Sequence, residues 1–318
     1  MAEVSQRSAS SYLNASGGVS RTADLGGPVH YVDFGGAKGA PRLVLVHGLG
    51  GSHLNWCLLA PRLAAAARVL AVDLIGFGLT HPEGRAATVQ TNAALLDRFV
   101  REVAGAPAIL VGNSMGGMVS IMEAAAHSDA VAGLVLIDPV LPLVRGVRPD
   151  RLVLTMFLAY ALPGIGERYL ARHRAAVPPR QLVQQVLDVS CADPTRIPKE
   201  LVAAAVALAE ERAAVEGLDA AFLSATRSLL WVSAKRERYW AAMRAVAAPV
   251  LLLHGEQDRL VSVRSAREAA ARNPGWRFEV FPDAGHVPQL EVPDAVAARM
   301  LDWLGSQAAS AARRAAEP

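Results

Sequence analysis

At 318 residues, with 52% apolar and 19% charged side chains, the chain has the composition of a packed, enzyme-sized body and is excluded from the disordered, collagen-like and small disulfide-rich classes. The net charge of +3 comes from scattered arginines rather than a block of like charge, so no nucleic-acid partner is expected. The two cysteines, Cys57 and Cys191, lack metal-ligand spacing and are expected as reduced packing residues.

The chain opens with MAEVSQRSASSYLNASGGVS, which puts Ser, Asn and Gly where a secretory peptide needs an unbroken apolar run. Residues 1–18 therefore read as a flexible leader, and the expected location is cytoplasmic. Val19 to Ala23 and Val29 to Phe34 are short β-like runs separated by Gly26, Gly27 and Pro28, a hairpin signal at which the ordered core is expected to begin. Then come four nearly all-apolar runs, Leu43 to Val46, Val69 to Val72, Ile109 to Val111 and Leu134 to Ile137. Strands of that kind, spaced by amphipathic stretches, are what a parallel sheet covered on both faces requires. The expected crossover helices are Trp56 to Ala67, Val89 to Val103 and Met115 to Ala126.

After Pro139 the strand rhythm stops. Up to about Pro249 the chain is rich in Ala, Leu and Arg at helical spacing, with Pro163, Pro178, Pro179, Pro194 and Pro198 as breakers, which predicts a helical insertion above the sheet. Its most apolar stretch, Leu152 to Ile165, is interrupted by Pro163 and Gly164 and is shorter than the roughly 20 residues a spanning helix needs. It reads as a buried or surface-covering helix, and no stable membrane insertion is expected. Val250 to Leu253 and Arg277 to Phe281 are two further strands, and Pro293 to Leu304 is the last helix, with proline at a permitted first-turn position. The expected organisation is a core of residues 19–140 and 248–307, an insertion of 141–247 and a tail of 308–318.

The chemistry is concentrated at loops that follow strands. Gly112-Asn113-Ser114-Met115-Gly116 begins where an apolar run ends and a helical pattern starts, the setting of a nucleophile elbow. The turn is so sharp that side chains two residues to either side of the serine would strike neighbouring backbone, so glycine there is a steric demand. Ser114 would project its hydroxyl above the strand ends beside the N-terminus of a helix, where an oxyanion is stabilised. Asp258, in LHGEQDRLV, follows the penultimate strand, and His286, in FPDAGHVP, follows the last. In isolation the first reads equally as a helix cap and the second as a surface histidine. Their order, Ser then Asp then His, each after a different strand, points to nucleophile, orienting acid and general base.

Asp138, at the end of Leu134 to Ile137, is the rival for the acid role, while Asp73, in DLIGFGLT, reads as the support of a packed turn. The loop His47-Gly48-Leu49-Gly50-Gly51-Ser52 supplies the second oxyanion donor, so the backbone N–H groups of Leu49 and Met115 form the expected pair, with His47 as a structural hydrogen-bonder. No metal-ligand cluster, phosphate loop or dinucleotide fingerprint is visible, so no cofactor is expected.

Together, HGLGGS, DLIGFGLT, GNSMGG, HGEQD and DAGH resemble the α/β-hydrolase family over most of the chain outside the leader and the insertion. The resemblance implies an α/β fold with an eight-stranded, mostly parallel sheet flanked by helices and a helical cap inserted after the sixth strand. Family members that dehalogenate haloalkanes or open epoxides place aspartate at the elbow, and this chain has Ser114. GNSMGG is similar to the elbow of meta-cleavage carbon-carbon hydrolases, which usually carry Trp after the histidine where this chain has Val287.

The expected activity is hydrolysis of a carboxylic ester with an apolar acyl or ring group, a small-molecule substrate of open chain length, through an acyl-enzyme on Ser114. The alternatives are carbon-carbon bond hydrolysis and, from a different class, a catalytically silent binding protein. Met156, Phe157, Trp231 and Val287 are candidate substrate contacts, although apolar residues at helical spacing are a packing signal first. Oligomeric state is left open.

Overall fold

The computed structural model describes residues 12, 13, 16–144, 146, 147 and 150–316. The leader residues 1–11, 14 and 15 lie outside the described residues, as do 145, 148, 149, 317 and 318.

Eight strands form one sheet: β1 (Val19–Asp24), β2 (Pro28–Asp33), β3 (Arg42–Val46), β4 (Arg68–Val72), β5 (Ala108–Asn113), β6 (Val131–Ile137), β7 (Val250–Gly255) and β8 (Arg277–Phe281). Their order across the sheet is β1-β2-β4-β3-β5-β6-β7-β8, and the neighbours from β4 through β8 pair in parallel. Only the two pairings made by β2 are antiparallel. The middles of the central strands are apolar because both faces are covered. Val44 and Val46 of β3, Leu134 and Leu136 of β6 and Leu252 of β7 join one core cluster, while Leu43, Leu45, Val135, Ile137, Leu251 and Leu253 join the other.

Helices α1 (Ala60–Leu63), α2 (Val89–Phe99) and α3 (Met115–Ala126) alternate with the first parallel strands. Among the described residues, six helices stand between β6 and β7: α4 (Arg151–Ala161), α5 (Ile165–Ala176), α6 (Pro179–Ser190), α7 (Lys199–Arg212), α8 (Leu218–Ala234) and α9 (Arg236–Ala245). The chain returns to the core with α10 (Val263–Arg272), a single turn α11 (Pro288–Glu291) and α12 (Pro293–Ala316). No described helix is long and apolar enough to cross a membrane.

Several elements differ from the sequence reading. The stretch expected as one helix from Trp56 to Ala67 divides into a 3-10 turn at His53–Trp56 and the four residues of α1, because Pro61 has no N–H to continue a ladder from the preceding turn. The helix expected to reach Val103 is α-helical to Phe99 and ends in a π turn over Val100–Ala104, closed by Gly105 at φ 81°. The last helix runs past Gly305 to Ala316 into the segment read as a tail. Ordered packing also begins before β1, since Leu13 is 2% exposed in the second core cluster. Helix α4 covers the surface but is not buried: Leu152 and Leu158 are 61% and 56% exposed. Both cysteines are free and buried, and burial pushes each thiol up to about 12.

The steric demand at the end of β5 is concrete. A Cβ on Gly116 would lie 2.1 Å from the carbonyl oxygen of Val46 and 2.5 Å from that of His47, backbone atoms with no room to move. Gly305, within α12, has open space around it. Gly116→Ala should therefore cost about 3 kcal/mol or more, or prevent folding. Gly305→Ala should gain about 0.5–1 kcal/mol from helix propensity. Urea unfolding of the two variants beside the parent checks both signs.

Candidate active site

Ser114 sits between β5 and α3 at φ 54°, ψ −118°, a backbone conformation that a side-chain-bearing residue adopts only under constraint. The constraint is visible on both sides. The Ser114 N–H donates to Ile137 O at 3.1 Å, and Ser114 O accepts the N–H groups of Met118 and Val140. A Cβ on Gly48 would lie 3.0 Å from the Cβ of Ser114, so the His47–Ser52 loop runs directly past the serine. Neither the Leu49 nor the Met115 N–H donates to another group among the described residues.

The loop after β8 delivers His286, whose Nδ1 lies 2.7 Å from Asp258 Oδ2. Both residues are buried. Asp258 is held from its other oxygen as well: Oδ1 accepts Leu260 N–H at 2.7 Å and Val261 N–H at 3.0 Å. Burial works to raise this carboxyl, but the His286 charge, the hydrogen bond to it and nearby His254 outweigh burial and hold Asp258 below its ordinary value. The carboxylate fixes the His286 proton on Nδ1 and leaves Nε2 as the basic nitrogen.

Asn113, which the sequence reading passed over, ties the two halves together. Its Nδ2 donates to Ile137 O and to His286 O, both at 3.0 Å, linking the residue before the serine to the backbone of the histidine. A buried Asn at the end of an otherwise apolar strand was the available signal. Glu291 is a second such residue. Its Oε1 accepts the N–H groups of Ala192 and Asp193 at 2.8 and 3.0 Å, and its Oε2 accepts that of Gly285 at 2.7 Å. With His286 N–H donating to Ser190 O at 2.7 Å, the histidine loop is bolted to the end of α6.

Asp73 has the supporting role read from its glycine-rich sequel. Its carboxylate accepts His53 N–H at 2.7 Å, Leu79 N–H at 2.8 Å and the Nδ1 atoms of His53 and His30, each at 2.8 Å. Burial opposes ionisation here, yet the paired histidines hold the group well below the usual carboxylate range. His30, His53 and Asp73 thus meet at ligand-like spacing that the sequence did not reveal, but both imidazoles direct Nδ1 at the carboxylate rather than at a shared vacant point. His47 is the structural hydrogen-bonder expected: Nδ1 lies 2.7 Å from Gly48 O, and Nε2 accepts Leu74 N–H at 3.0 Å.

The candidate substrate contacts separate. Met156 packs with Tyr160, Leu170 and Leu223 in a small cluster of the insertion, and Phe157 packs edge-on against Tyr160. Val287 is a buried member of the second core cluster. Trp231 stands 59% exposed, with Lys235 Nζ 3.8 Å above its ring, and joins none of the core clusters, so it is a surface residue of α8. Phe222 of α8 approaches the His47–Ser52 loop. A Cβ on Gly50 would be 3.7 Å from its Cε2, and its ring packs edge-on against Tyr160. A surface cavity of about 880 Å³ lined by Thr88, Glu167, Arg174, Leu218, Asp219 and Arg227 contains neither Ser114 nor His286. Its charges pair among themselves, Arg174 with Asp219 and Arg227 with Glu167.

With this fold and geometry, the chain belongs to the α/β-hydrolase family, whose model matches residues 43–299. It is 31% identical over 301 residues to the dihydrolipoyllysine-residue acetyltransferase component of the acetoin cleaving system of Pseudomonas putida, covering 91% of this chain and 70% of that protein. It is also 31% identical over 267 residues to the pimeloyl-[acyl-carrier protein] methyl ester esterase of Aromatoleum aromaticum, covering 82% of this chain and 97% of that one. Further relatives include a haloalkane dehalogenase of Mycobacterium marinum and a 2-hydroxymuconate semialdehyde hydrolase of a Pseudomonas strain. Among solved structures, Lip1 of Acinetobacter baumannii superposes with a TM-score of 0.78 at 23% identity, covering 98% of this chain and 99% of that one.

Burial pushes the His47 imidazole down to about 4, whereas in the unfolded chain it takes up a proton near pH 6.5. The unfolded state binds more protons between these values, so stability falls as pH drops through that window. From pH 6.5 to 5 the loss from this group should be about 1.5 kcal/mol. Denaturant unfolding at both pH values should show His47→Gln losing correspondingly less than the parent. Glu291→Gln should cost about 1–3 kcal/mol, since an amide cannot accept from all three N–H groups. It should also slow turnover of whatever substrate is processed, because the His286 loop loses its tether.

Proposed function

We propose that the protein hydrolyses a carboxylic ester of a small apolar molecule through an acyl-enzyme on Ser114. The observation that carries this reading is the 2.7 Å contact between His286 Nδ1 and Asp258 Oδ2, in a loop tied through Asn113 to the serine elbow. A serine hydroxyl attacks only when a base takes its proton, and an imidazole with Nδ1 committed to a carboxylate has Nε2 free for that task.

In the first half-reaction Ser114 Oγ adds to the ester carbonyl while His286 takes the hydroxyl proton. The tetrahedral oxyanion is held by the N–H groups of Leu49 and Met115, which have no competing acceptor among the described residues. Collapse breaks the bond to the alkoxy oxygen, and His286 returns its proton to the departing alcohol. In the second half-reaction His286 takes a proton from water, the resulting hydroxide adds to the acyl carbon, and collapse releases the carboxylic acid and returns the proton to Ser114. Asp258 stays ionised and opposes the imidazolium charge in both halves. The helical insertion acts as a cap, with Phe222 above Gly50 and Tyr160 behind it giving an apolar ceiling. The esterase relative supports the choice of an ester bond. The GNSMGG elbow and the semialdehyde hydrolase relative favour carbon-carbon cleavage as the second reading, with Val287 in place of the usual Trp standing against it.

Hydrolysis of a p-nitrophenyl ester series from acetate to long-chain acyl groups is the test. Parent protein should turn over the shorter, apolar members, and Ser114→Ala should lose at least about 1000-fold in kcat with an unchanged unfolding midpoint. Asp258→Asn should also lose most activity, through the wrong histidine tautomer. Equal turnover by parent and Ser114→Ala would refute the nucleophile, and silence of the parent towards every ester, with turnover of a meta-cleavage dienoic acid, would select the carbon-carbon reading.

A further inference from the structure

Two carboxyl groups, rather than one, are buried beside His254, and one of them, Asp258, holds His286. Asp138, directly after β6, is fully enclosed and sits at φ 44°, in the left-handed region that non-glycine residues occupy only when their surroundings hold them there. Its Oδ1 accepts Gly255 N–H at 2.9 Å, which fixes the group against the end of β7. Its Oδ2 is buried and has no hydrogen-bond donor among the described residues. Asp258 presents the complementary vacancy. Its Oδ1 already accepts two N–H groups, while its Oδ2 accepts only His286 Nδ1 and keeps a free lone pair. Ligand atoms of Asp138, Asp258 and His254 all lie within 4.8 Å of one another.

Two carboxylates this close in an enclosed site cannot both ionise without severe repulsion, so a proton must reside among the groups that face them. These groups are His254 at the end of β7, His286 after β8 and Glu291 on α11. His254 Nε2 lies 3.4 Å from Asp138 Oδ1 and 3.5 Å from Asp258 Oδ2, but its proton is committed to Val261 O at 2.9 Å. A second proton on that ring would leave a buried Nδ1–H without an acceptor, because Nδ1 has no partner among the described residues. Glu291 is occupied as the acceptor of three N–H groups. His286 must release and regain its proton in turnover. That leaves the carboxyl pair itself, and of the two it is Asp138 that has an oxygen with no donor.

We propose that Asp138 is a neutral positioning residue that keeps its proton near neutral pH and donates it from Oδ2 to Asp258 Oδ2, so that Asp258 stays ionised and aligned with His286. The pair carries one negative charge in total, matched to one imidazolium. Burial, and after it the charge of Asp258, push Asp138 well above the usual carboxylate range, whereas Asp258 is held below it. The two environments diverge as they do wherever one carboxyl of a pair serves as donor and the other as anion. Asp138 acts through Asp258 and does not touch the reacting atoms.

Asparagine mimics a neutral carboxyl but not an ionised one. In Asp138→Asn the amide oxygen can accept from Gly255 and the amide N–H can donate to Asp258, while Asp138→Ala removes both bonds. On the ester-hydrolase reading, on which the kinetic part of the test rests, Asp138→Asn should retain kcat within about threefold of the parent, and Asp138→Ala should lose roughly tenfold or more in kcat with little change in KM. Infrared difference spectroscopy at neutral pH provides an arm that uses no substrate. The carbonyl stretch of a protonated carboxylic acid should be present in the parent and missing from Asp138→Asn, and the contribution of Glu123, which burial pushes up to about 7, cancels in the difference. Loss of that band on Asp138→Asn supports the proposal even if no ester is turned over. An Asp138→Asn variant as crippled as Asp138→Ala, or parent and Asp138→Asn spectra without a difference in the acid carbonyl band, overturns it. Should Asp138→Ala fail to fold by circular dichroism, Asp138→Asn and the infrared difference still decide.

Discussion

The turn at Ser114 is the constraint on which the site depends. A chain that leaves β5 and enters α3 within one residue must bring the first turn of the helix against the carbonyls of Val46 and His47, and only glycine at 116 permits that approach. The same geometry brings the His47–Ser52 loop past the serine and leaves the Met115 N–H at the helix entrance without a backbone acceptor among the described residues. A strained residue persists only where its surroundings over-determine it. Here they do so through β6, since Ile137 O accepts both Ser114 N–H and Asn113 Nδ2, and Val140 N–H donates back to Ser114 O.

Loops that gather at one edge of a parallel sheet carry backbone donors with no ladder to satisfy them, and in this protein buried carboxylates take them up. Asp73 accepts from the loops after β3 and β4, Asp138 from the end of β7, Asp258 from its own turn, and Glu291 from the histidine loop and the end of α6. Each such group costs desolvation unless donors surround it. Asp73 and Asp258 gain theirs partly from histidines, which explains why their carboxyls remain acidic although enclosed. Structural and chemical roles therefore share one device, and a carboxylate at a strand end is not by that fact an acid of the reaction.

This bears on what the sequence could disclose. All eight strands were legible: the central ones because strands buried on both faces are written as Val, Leu and Ile runs, and the exposed β1 with β2 because Gly26, Gly27 and Pro28 mark the hairpin between them. The elbow was legible because its sterics demand glycine at fixed offsets from Ser114. What was not legible depended on three-dimensional neighbours. Nothing local marks Glu291, whose partners Ala192 and Asp193 are about a hundred positions away, and Phe222 and Leu223 look alike on a helix until α8 is oriented above Gly50. That Trp231 stands at the surface was hidden for the same reason: helical spacing reports which residues share a face, not which face turns inward. Helix α10 went unnoticed because it is short and rich in arginine and alanine, with Ser265, Ala266 and Ala269 as its buried residues.

The position of the insertion matters beyond enclosure. His286 N–H donates to Ser190 O, Gly285 and the residues after α6 share Glu291 as acceptor, and a Cβ on Gly285 would lie 2.6 Å from Ser190 O. The end of α6 is therefore packed against the histidine loop more closely than any side chain would allow. A displacement of α6 large enough to change access to the serine must either break these bonds or carry the histidine loop with it, while Asn113 holds that loop to the elbow from the other side. Opening by a rigid swing of the whole insertion is thus coupled to the alignment of His286. The other half of the insertion, α4 and α5, is tied as well: Asp150 at the entry to α4 pairs with Arg259 at 2.9 Å, His173 Nε2 of α5 lies 3.1 Å from Gln185 Oε1 of α6, and Glu167 pairs with Arg227 of α8. Both halves of the insertion are thus joined to the loops that carry Asp258 and His286.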